Sequence, residues 1–399
     1  MRQLDRKLLR DLWRLRAQVV SISLVVAAGI AATVSFRSGL DSLDESRLRY
    51  YHEARFADVF ASLERAPEHL AGRIAAIPGV AAVQTGVTAA VVLDVPGLDE
   101  PAAGKLVSIP PRPETSLNRV QVQAGRMPLP GRRGEVLASA RFAEINRLAP
   151  GDSLSALVNG RWERLEMVGI ALSPEYVYAG QPGAFLTDER HFGVLWMDGD
   201  ELAAARDMRG SFNAVSLTLA PGADERDVIG RVDRLLEPYG GLGAYGRADQ
   251  LSNHVISDEL RQNRATGTTV PAMILAIAAF LLNVVLSRLV GTEREQIAVL
   301  KAFGYTSGEV ARHYLAFALS AVLLGAAIGI GVGMWLGRGL VGLYAEVFRF
   351  PDLRYRATWP LVFGAFAVSA AAAGLGAWGA VRRAALLPPA EAMRPEAPA

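Results

Sequence analysis

The sequence predicts an α-helical membrane protein with four transmembrane helices and a large α+β extracytoplasmic domain inserted between helices 1 and 2. Three observations carry that prediction. Windows free of charge run over 17–36, 265–287, 314–337 and 357–381; a bilayer core takes roughly 20 apolar residues of helix, and a central charge costs about 2.5–3.5 kcal/mol. Hydrophobic residues make up 51% of the chain and mean hydropathy is +0.22, yet 21% of residues are charged, so the two characters are segregated along the chain. The polar insert 37–264 alternates between helical and extended patterns and is long enough for one large or two small folded domains.

The start, 1–16, is a basic amphipathic segment with Arg2, Arg6, Lys7, Arg10, Arg14 and Arg16. A signal peptide is the other reading of this start; its apolar region runs about 7–15 residues, whereas the window that follows here is 20 long with no clear end. Lys and Arg concentrate on the cytoplasmic side of short loops. That rule puts 1–16, 288–313 (Arg288, Arg294, Lys301, Arg312) and the tail 382–399 (Arg382, Arg383, Arg394) in the cytoplasm. Residues 37–264 and 338–356 then lie outside, although 338–356 carries Arg338, Arg349, Arg354 and Arg356 against the rule.

Within the insert, 67–77 reads as a helix with Leu70, Ile74 and Ile77 on one stripe, stopped by Pro78-Gly79. Residues 80–95 read as one extended stretch, and 119–123 alternates through Val120 and Val122. Residues 141–148 look helical. Asn159-Gly160 between 154–158 and 161–170 is a type I′ hairpin signal. Val215, Leu217 and Leu219 alternate, and Pro221-Gly222 turns into a helix with Val228, Val232 and Leu235. Antiparallel strands without a βαβ period are expected. Residues 247–264 read as helical with Leu251, Val255 and Ile256 on one face, either a simple linker or a stalk helix continuous with the second span, with Gly267 and Pro271 interrupting the join.

The net charge of +2 supplies no field for nucleic acid, and zero cysteines removes disulfides, Cys-ligated metal and thiol catalysis. His52, His69, His191, His254 and His313 are scattered, with no zinc-protease or serine-hydrolase motif. No P-loop exists, because Asp99 stands where Gly104-Lys105 would need its first glycine. The expectation is therefore no catalytic, cofactor or metal residue.

The informative segment is the loop 288–313. Thr292 with Glu295 and Thr306 with Glu309 read as capping boxes, and Gly304 sits where a helix ends in the left-handed conformation. A helix of about three turns is expected between two spans, presenting Ile297, Leu300 and Phe303 near one face with Glu293, Arg294 and Lys301 around it. Two readings stand: an amphipathic elbow on the lipid headgroups, or a plug docking into a cytoplasmic partner. The third span carries Gly325, Gly329, Gly333 and Gly337 at a spacing of four, which lets another helix approach closely. Asn283 inside the second span should face protein.

At these residues the chain resembles the FtsX-like permease family of ABC transporters, the group that includes MacB-type and lipoprotein-release permeases. The basic start 4–13 (LDRKLLRDLW), the run EREQIAVLKAFG over 293–304 and the tail RAALLPPAEAMR over 383–394 are similar to the family's motifs. Ile77-Pro-Gly-Val80, Gly125-Arg-Met-Pro128 through Gly134-Glu-Val136, and Leu148-Ala-Pro-Gly-Asp152 resemble its MacB-like insert domain. Ala298 replaces the common Gly and Phe303 the common Leu. The resemblance implies a bacterial inner-membrane permease subunit that has no enzyme activity of its own. ATP would be bound by a dimer of cytoplasmic ATPase subunits, coupled through Glu293, Arg294, Glu295, Ile297, Leu300, Lys301, Phe303 and Gly304. A second permease unit, as homodimer or related half, is implied, with a periplasmic adaptor or a lipid or lipoprotein cargo as further partners. The competing classes are a membrane-anchored receptor or sensor, for which no cytoplasmic output domain is seen, and a membrane-bound enzyme, for which no reactive constellation is seen.

Overall fold

The structure is a computed structural model that describes residues 3–179, 188, 190–348 and 350–386. The chain begins with α1 (Gln3–Arg14) and α2 (Arg16–Glu53). The insert contributes β1 (Val59–Pro67), α3 (Leu70–Ala75), β2 (Val80–Gly86), β3 (Thr88–Asp94), β4 (Ala102–Ile109), β5 (Gln121–Gly125), β6 (Glu135–Ser139), α4 (Ala140–Ile145), β7 (Ser153–Val158) and β8 (Arg161–Leu172). It continues with β9 (Phe192–Asp198), α5 (Gly199–Ala205), β10 (Ser211–Leu219), α6 (Glu225–Leu236) and β11 (Ala244–Gly246). Then come α7 (Leu251–Thr292), α8 (Arg294–Ala302), α9 (Ser307–Val347) and α10 (Trp359–Leu386). Two compact units result. One is drawn from the residues up to Asp44, Leu260–Tyr344 and the stretch from Arg354 onward; the other comprises Glu45–Glu259 with Ala345–Leu353.

Four helices, α2, α7, α9 and α10, are long and apolar enough to cross a bilayer. The membrane unit packs them around Val26, Ile30, Val34, Leu282, Leu286, Phe317 and Ala321, all buried. Gly267 and Pro271 do not interrupt α7: the helix runs through with Pro271 inside it. Proline removes one backbone donor, a loss that membrane helices accommodate where neighbouring groups re-satisfy the freed carbonyl. The third helix also outlasts its charge-free window, continuing beyond Gly337 to Val347.

The insert is α+β, as the patterns predict, in two sheets. A four-stranded sheet has the order β11-β1-β10-β2, and α3 and α6 lay Leu70, Ile74, Val228, Val232 and Leu236 onto its core. A seven-stranded sheet has the order β5-β8-β6-β9-β4-β3-β7, and β7 pairs again with β8. That extra pairing closes six strands on themselves as a barrel, with β5 appended. A closed sheet has no exposed edge along its closure. Its interior holds Leu93, Leu106, Val136, Leu165, Met167 and Leu195, and Phe142 of α4 and Leu202 of α5 join the same core.

Several local expectations need correction. The strands are not all antiparallel: β4 pairs with β9 and β6 with β8 in parallel. Residues 80–95 form two strands in different sheets, broken at Val87, whose N–H donates to Ser108 Oγ at 2.8 Å. The helix read over 67–77 is only Leu70–Ala75, because Pro67 ends β1. In α6 the buried stripe closes on Leu236 and Leu235 sits at its margin. In the stalk, Ile256 and Leu260 are buried one turn apart while Leu251 is exposed, so the buried stripe is displaced from the face first read. The Asn159-Gly160 hairpin forms as expected, with φ of 48° and 78° and Val158 opposite Arg161.

Candidate coupling site

The segment between α7 and α9 is built by its end signals. Thr292 is the last residue of α7, and its Oγ1 donates back to the carbonyls of Arg288 (3.1 Å) and Leu289 (3.0 Å). It therefore caps nothing, and α8 starts without a side-chain cap from Glu293, a correction to the first capping box. The second box forms in full: Glu309 N–H donates to Thr306 Oγ1 at 3.3 Å and Thr306 N–H to Glu309 Oε2 at 2.9 Å. Between them α8 ends in a Schellman turn, with Gly304 at φ +92°. Gly304 N–H donates to Lys301 O at 3.0 Å and Tyr305 N–H to Leu300 O at 3.2 Å.

Ile297, Leu300 and Phe303 do not share one face. Ile297 and Ala298 are buried in the core of the membrane unit, Leu300 is half-buried, and Phe303 is 81% exposed. The six residues from Ile297 to Phe303 rotate by roughly 600°, leaving the two side chains about 120° apart. The exposed apolar pair is instead Val299 with Phe303, four residues apart. Lys7, Arg10, Glu295, Gln296, Val299, Leu300 and Tyr305 line a shallow groove of about 440 Å³ beside α8. Desolvation lowers the pKa of Lys301 at the end of α8.

Glu293 points inward rather than outward. Lys7 Nζ of α1 donates to Glu293 Oε2 at 2.9 Å and to Asp11 Oδ2 at 2.6 Å. Tyr314 OH donates to Glu293 Oε2 at 3.0 Å, and His313 Nε2 lies 3.2 Å from Asp11 Oδ2. His313 is thus a buried partner in a charge cluster, one of the hydrogen-bonded structural histidines that its isolation in the sequence suggests. Burial opposes ionisation of Asp11, but the bonds from His313 and Lys7 outweigh it and hold the carboxyl below its ordinary range. Sequence reasoning missed this cluster. Its signal was present: Lys7 and Asp11 fall on the same face of α1 as Leu8 and Leu12, which pack on the membrane core.

Gly325, Gly329, Gly333 and Gly337 are all buried along α9, facing α2. A Cβ would lie 2.6 Å from Ser23 O at Gly325, 2.7 Å from Ala27 O at Gly329, 2.9 Å from Ala31 O at Gly333 and 2.7 Å from Ser38 Oγ at Gly337. Backbone rests on backbone there, and Ser23 Oγ donates across to Ala321 O at 2.9 Å. Asn283 Nδ2 donates to Gly376 O at 2.7 Å, joining α7 to α10. Most of the tail motif over 383–394 lies outside the described residues. Among the described residues no group of His, Cys, Asp or Glu could hold a metal ion.

Comparison with known proteins places this geometry. The family model described as FtsX-like permease C-terminal matches residues 268–389, which include α7 from 268 onward and all of α8, α9 and α10. None of the curated proteins compared matches the chain. Among solved structures, the extracellular domain of the noncanonic ABC-type transporter YknZ from Gram-positive bacteria is 13% identical, with a TM-score of 0.32 over 48% of this chain and 98% of that one. The periplasmic region of MacB from Actinobacillus actinomycetemcomitans is 8% identical, with a TM-score of 0.32 over 53% of this chain and 96% of that one. The fold of the insert stands on its own sheet order. Four helices of spanning length mark this as a membrane protein, and its residues 268–389 are similar to the C-terminal domain of FtsX-like permeases.

Proposed function

We propose that the chain is the permease subunit of an ABC transporter and that a separate cytoplasmic ATPase docks on α8 and the turn after it. The observation that carries this reading is the exposed pair Val299 and Phe303 on a short helix held between α7 and α9, inside the segment that matches FtsX-like permeases. Burying a large apolar side chain contributes about 1.5–3 kcal/mol. Phe303 has most of that still to gain, and the half-buried Leu300 floors the groove beside it. Arg294, Glu295 and Lys301 supply the polar rim that an interface of this kind carries, and Gly304 fixes the direction in which the chain leaves it.

In this reading 1–16, 288–313 and 382–399 are cytoplasmic, 37–264 and 338–356 lie outside, and the membrane is the bacterial inner membrane. Two permease units and two ATPase subunits assemble, and the partner binds the ATP. Closure of the ATPases moves α8. The continuous α7 carries that motion toward the extracytoplasmic domain, for export, extraction of a lipid or lipoprotein, or mechanical signalling, with a periplasmic adaptor as a further partner. The test is capture of the ATPase on the tagged permease from native membranes. Phe303→Asp should weaken the complex at least about tenfold, the equivalent of roughly 1.4 kcal/mol, and abolish stimulated hydrolysis. Retention of the ATPase and of stimulation at parental levels would sink the proposal.

A further inference from the structure

We infer that Lys7 is a positioning residue for the coupling segment: its ammonium, held between Asp11 and Glu293, fastens α1 to the base of α8, so that Glu293 serves as a buried counter-ion and touches no partner. This rests on the proposal that α8 receives the ATPase. The side chains of Lys7, Asp11, Glu293 and His313 are 11%, 6%, 8% and 4% exposed. Other close ion pairs, such as Arg231 with Asp227 at 44% and 51% exposure, sit on solvent faces, where they contribute little. In the cluster one ammonium serves two carboxylates, and each carboxylate takes a second bond, from His313 or from Tyr314.

The positions matter as much as the charges. Lys7 and Asp11 belong to α1, Glu293 precedes the first residue of α8, and His313 and Tyr314 lie in the first turns of α9. Lys7 Nζ bridges the carboxylates of α1 and α8 directly, so α8 cannot tilt at its N-terminal end without pulling α1 or stranding a buried carboxylate. Removing one partner of such a pair leaves an uncompensated charge, whereas neutralising both partners is far less costly. That asymmetry separates a counter-ion from a docking contact. A Glu293 that bound the ATPase could not be replaced by Gln without loss, whatever stood at position 7.

The chain has no cysteine, so a single introduced thiol reports on α1 without background. Leu8 is half-buried against the membrane core, and Leu8→Cys in the full-length protein in its membrane serves as the probe. Adding Lys7→Met should raise the thiol labelling rate, and lower permease-stimulated ATP hydrolysis, each by about tenfold or more. Adding Glu293→Gln to Lys7→Met removes the carboxylate left with only Tyr314, while Asp11 keeps its contact with His313, and should return both to within about threefold of the parent. If Lys7→Met fails to accumulate in the membrane, accumulation replaces labelling as the readout, and Glu293→Gln should restore it. A double variant no better than Lys7→Met, or labelling unmoved by Lys7→Met, overturns the inference. Labelling is read without the ATPase, so a Phe303→Asp protein that still captures the ATPase would sink the docking proposal and leave this test intact.

Discussion

The seam between α2 and α9 and the junction of α1 with α8 join helices of the same unit by opposite means. In the seam, Gly325, Gly329 and Gly333 remove side chains so that one backbone lies on the carbonyls of Ser23, Ala27 and Ala31. At the junction, a lysine and two carboxylates from different helices meet out of water. The difference follows from the surroundings each contact faces. Deep in hydrocarbon there is no hydrophobic gain in joining two apolar helices, so close packing and short-range dispersion must hold them. Nearer the aqueous face charges can be brought in with their partners, and a polar cluster gives direction and specificity that a smooth apolar contact lacks.

The strongest way to break the comparison is at the seam. Gly329→Leu sets a branched side chain where even a Cβ would lie 2.7 Å from Ala27 O. A backbone oxygen cannot swing aside as a flexible side chain can, so the helices must part. Overpacking of a core typically costs about 1–3 kcal/mol, and here the strain falls on two backbones at once. The expected outcome is near-complete loss of the protein from membranes, scored by immunoblot. Gly331→Leu, whose Cβ meets nothing within 4 Å, should accumulate as the parent does. Equal accumulation of the two variants would mean that the seam is not what holds α2 to α9.

A second buried carboxylate, in the α+β insert, sharpens the other half of the comparison. Glu135 at the start of β6 is 2% exposed and accepts from Arg126 through both oxygens, at 2.6 and 2.7 Å, and from Leu129 N–H at 2.9 Å. The Arg126 bonds, with the Leu129 amide, hold its pKa at about 2 against an ordinary 4.5. Since the folded value lies below the unfolded one, the stabilisation is present above pH 4.5 and is lost as pH falls from about 4.5 toward 2. Arg126→Ala should therefore speed amide exchange in β6 and β8 at pH 7, with most of the difference from the parent gone at pH 2–3. Arg126 itself is 43% exposed, so this variant should be milder than Lys7→Met, whose ammonium has no comparable access to water. An Arg126→Ala effect that persists undiminished at pH 2 would assign the loss to packing of the arginine stem.

What could be read from the sequence was what local physics dictates. A bilayer demands a charge-free run, so all four spans were visible. Asn159-Gly160 needs positive φ at both positions, so its hairpin was visible too. The parallel pairing of β4 with β9 was not, because a strand's own pattern carries no record of its neighbour. Lys7 and Glu293 stand 286 residues apart, and in sequence one belonged to the basic start and the other to the coupling run, with nothing local to pair them. Ile297 and Phe303 had the same apolar character, but the turn of the helix sends one into the core and leaves the other exposed.

The smallest expected effect tests that distinction at its finest. Thr292-Glu-Arg-Glu295 and Thr306-Ser-Gly-Glu309 present the same spacing, yet only Thr306 accepts from the N–H three residues on. The reason is the residue before. Thr306 follows the Schellman turn at Gly304 and so begins a helix, whereas Thr292 is still the last residue of α7 and spends its hydroxyl on Arg288 and Leu289. An N-cap threonine replaced by alanine costs about 1 kcal/mol. Thr306→Ala should therefore accelerate amide exchange at Glu309 and Val310 by roughly fivefold, with no change in the rest of α9. Thr292→Ala removes only a back-bond to the preceding turn, a bond neutral to slightly destabilising in helices, and should leave exchange at the start of α8 within error of the parent. If the two variants lose protection equally, Thr292 caps α8 in the membrane after all, and the coupling segment begins one residue earlier than its hydrogen bonds indicate.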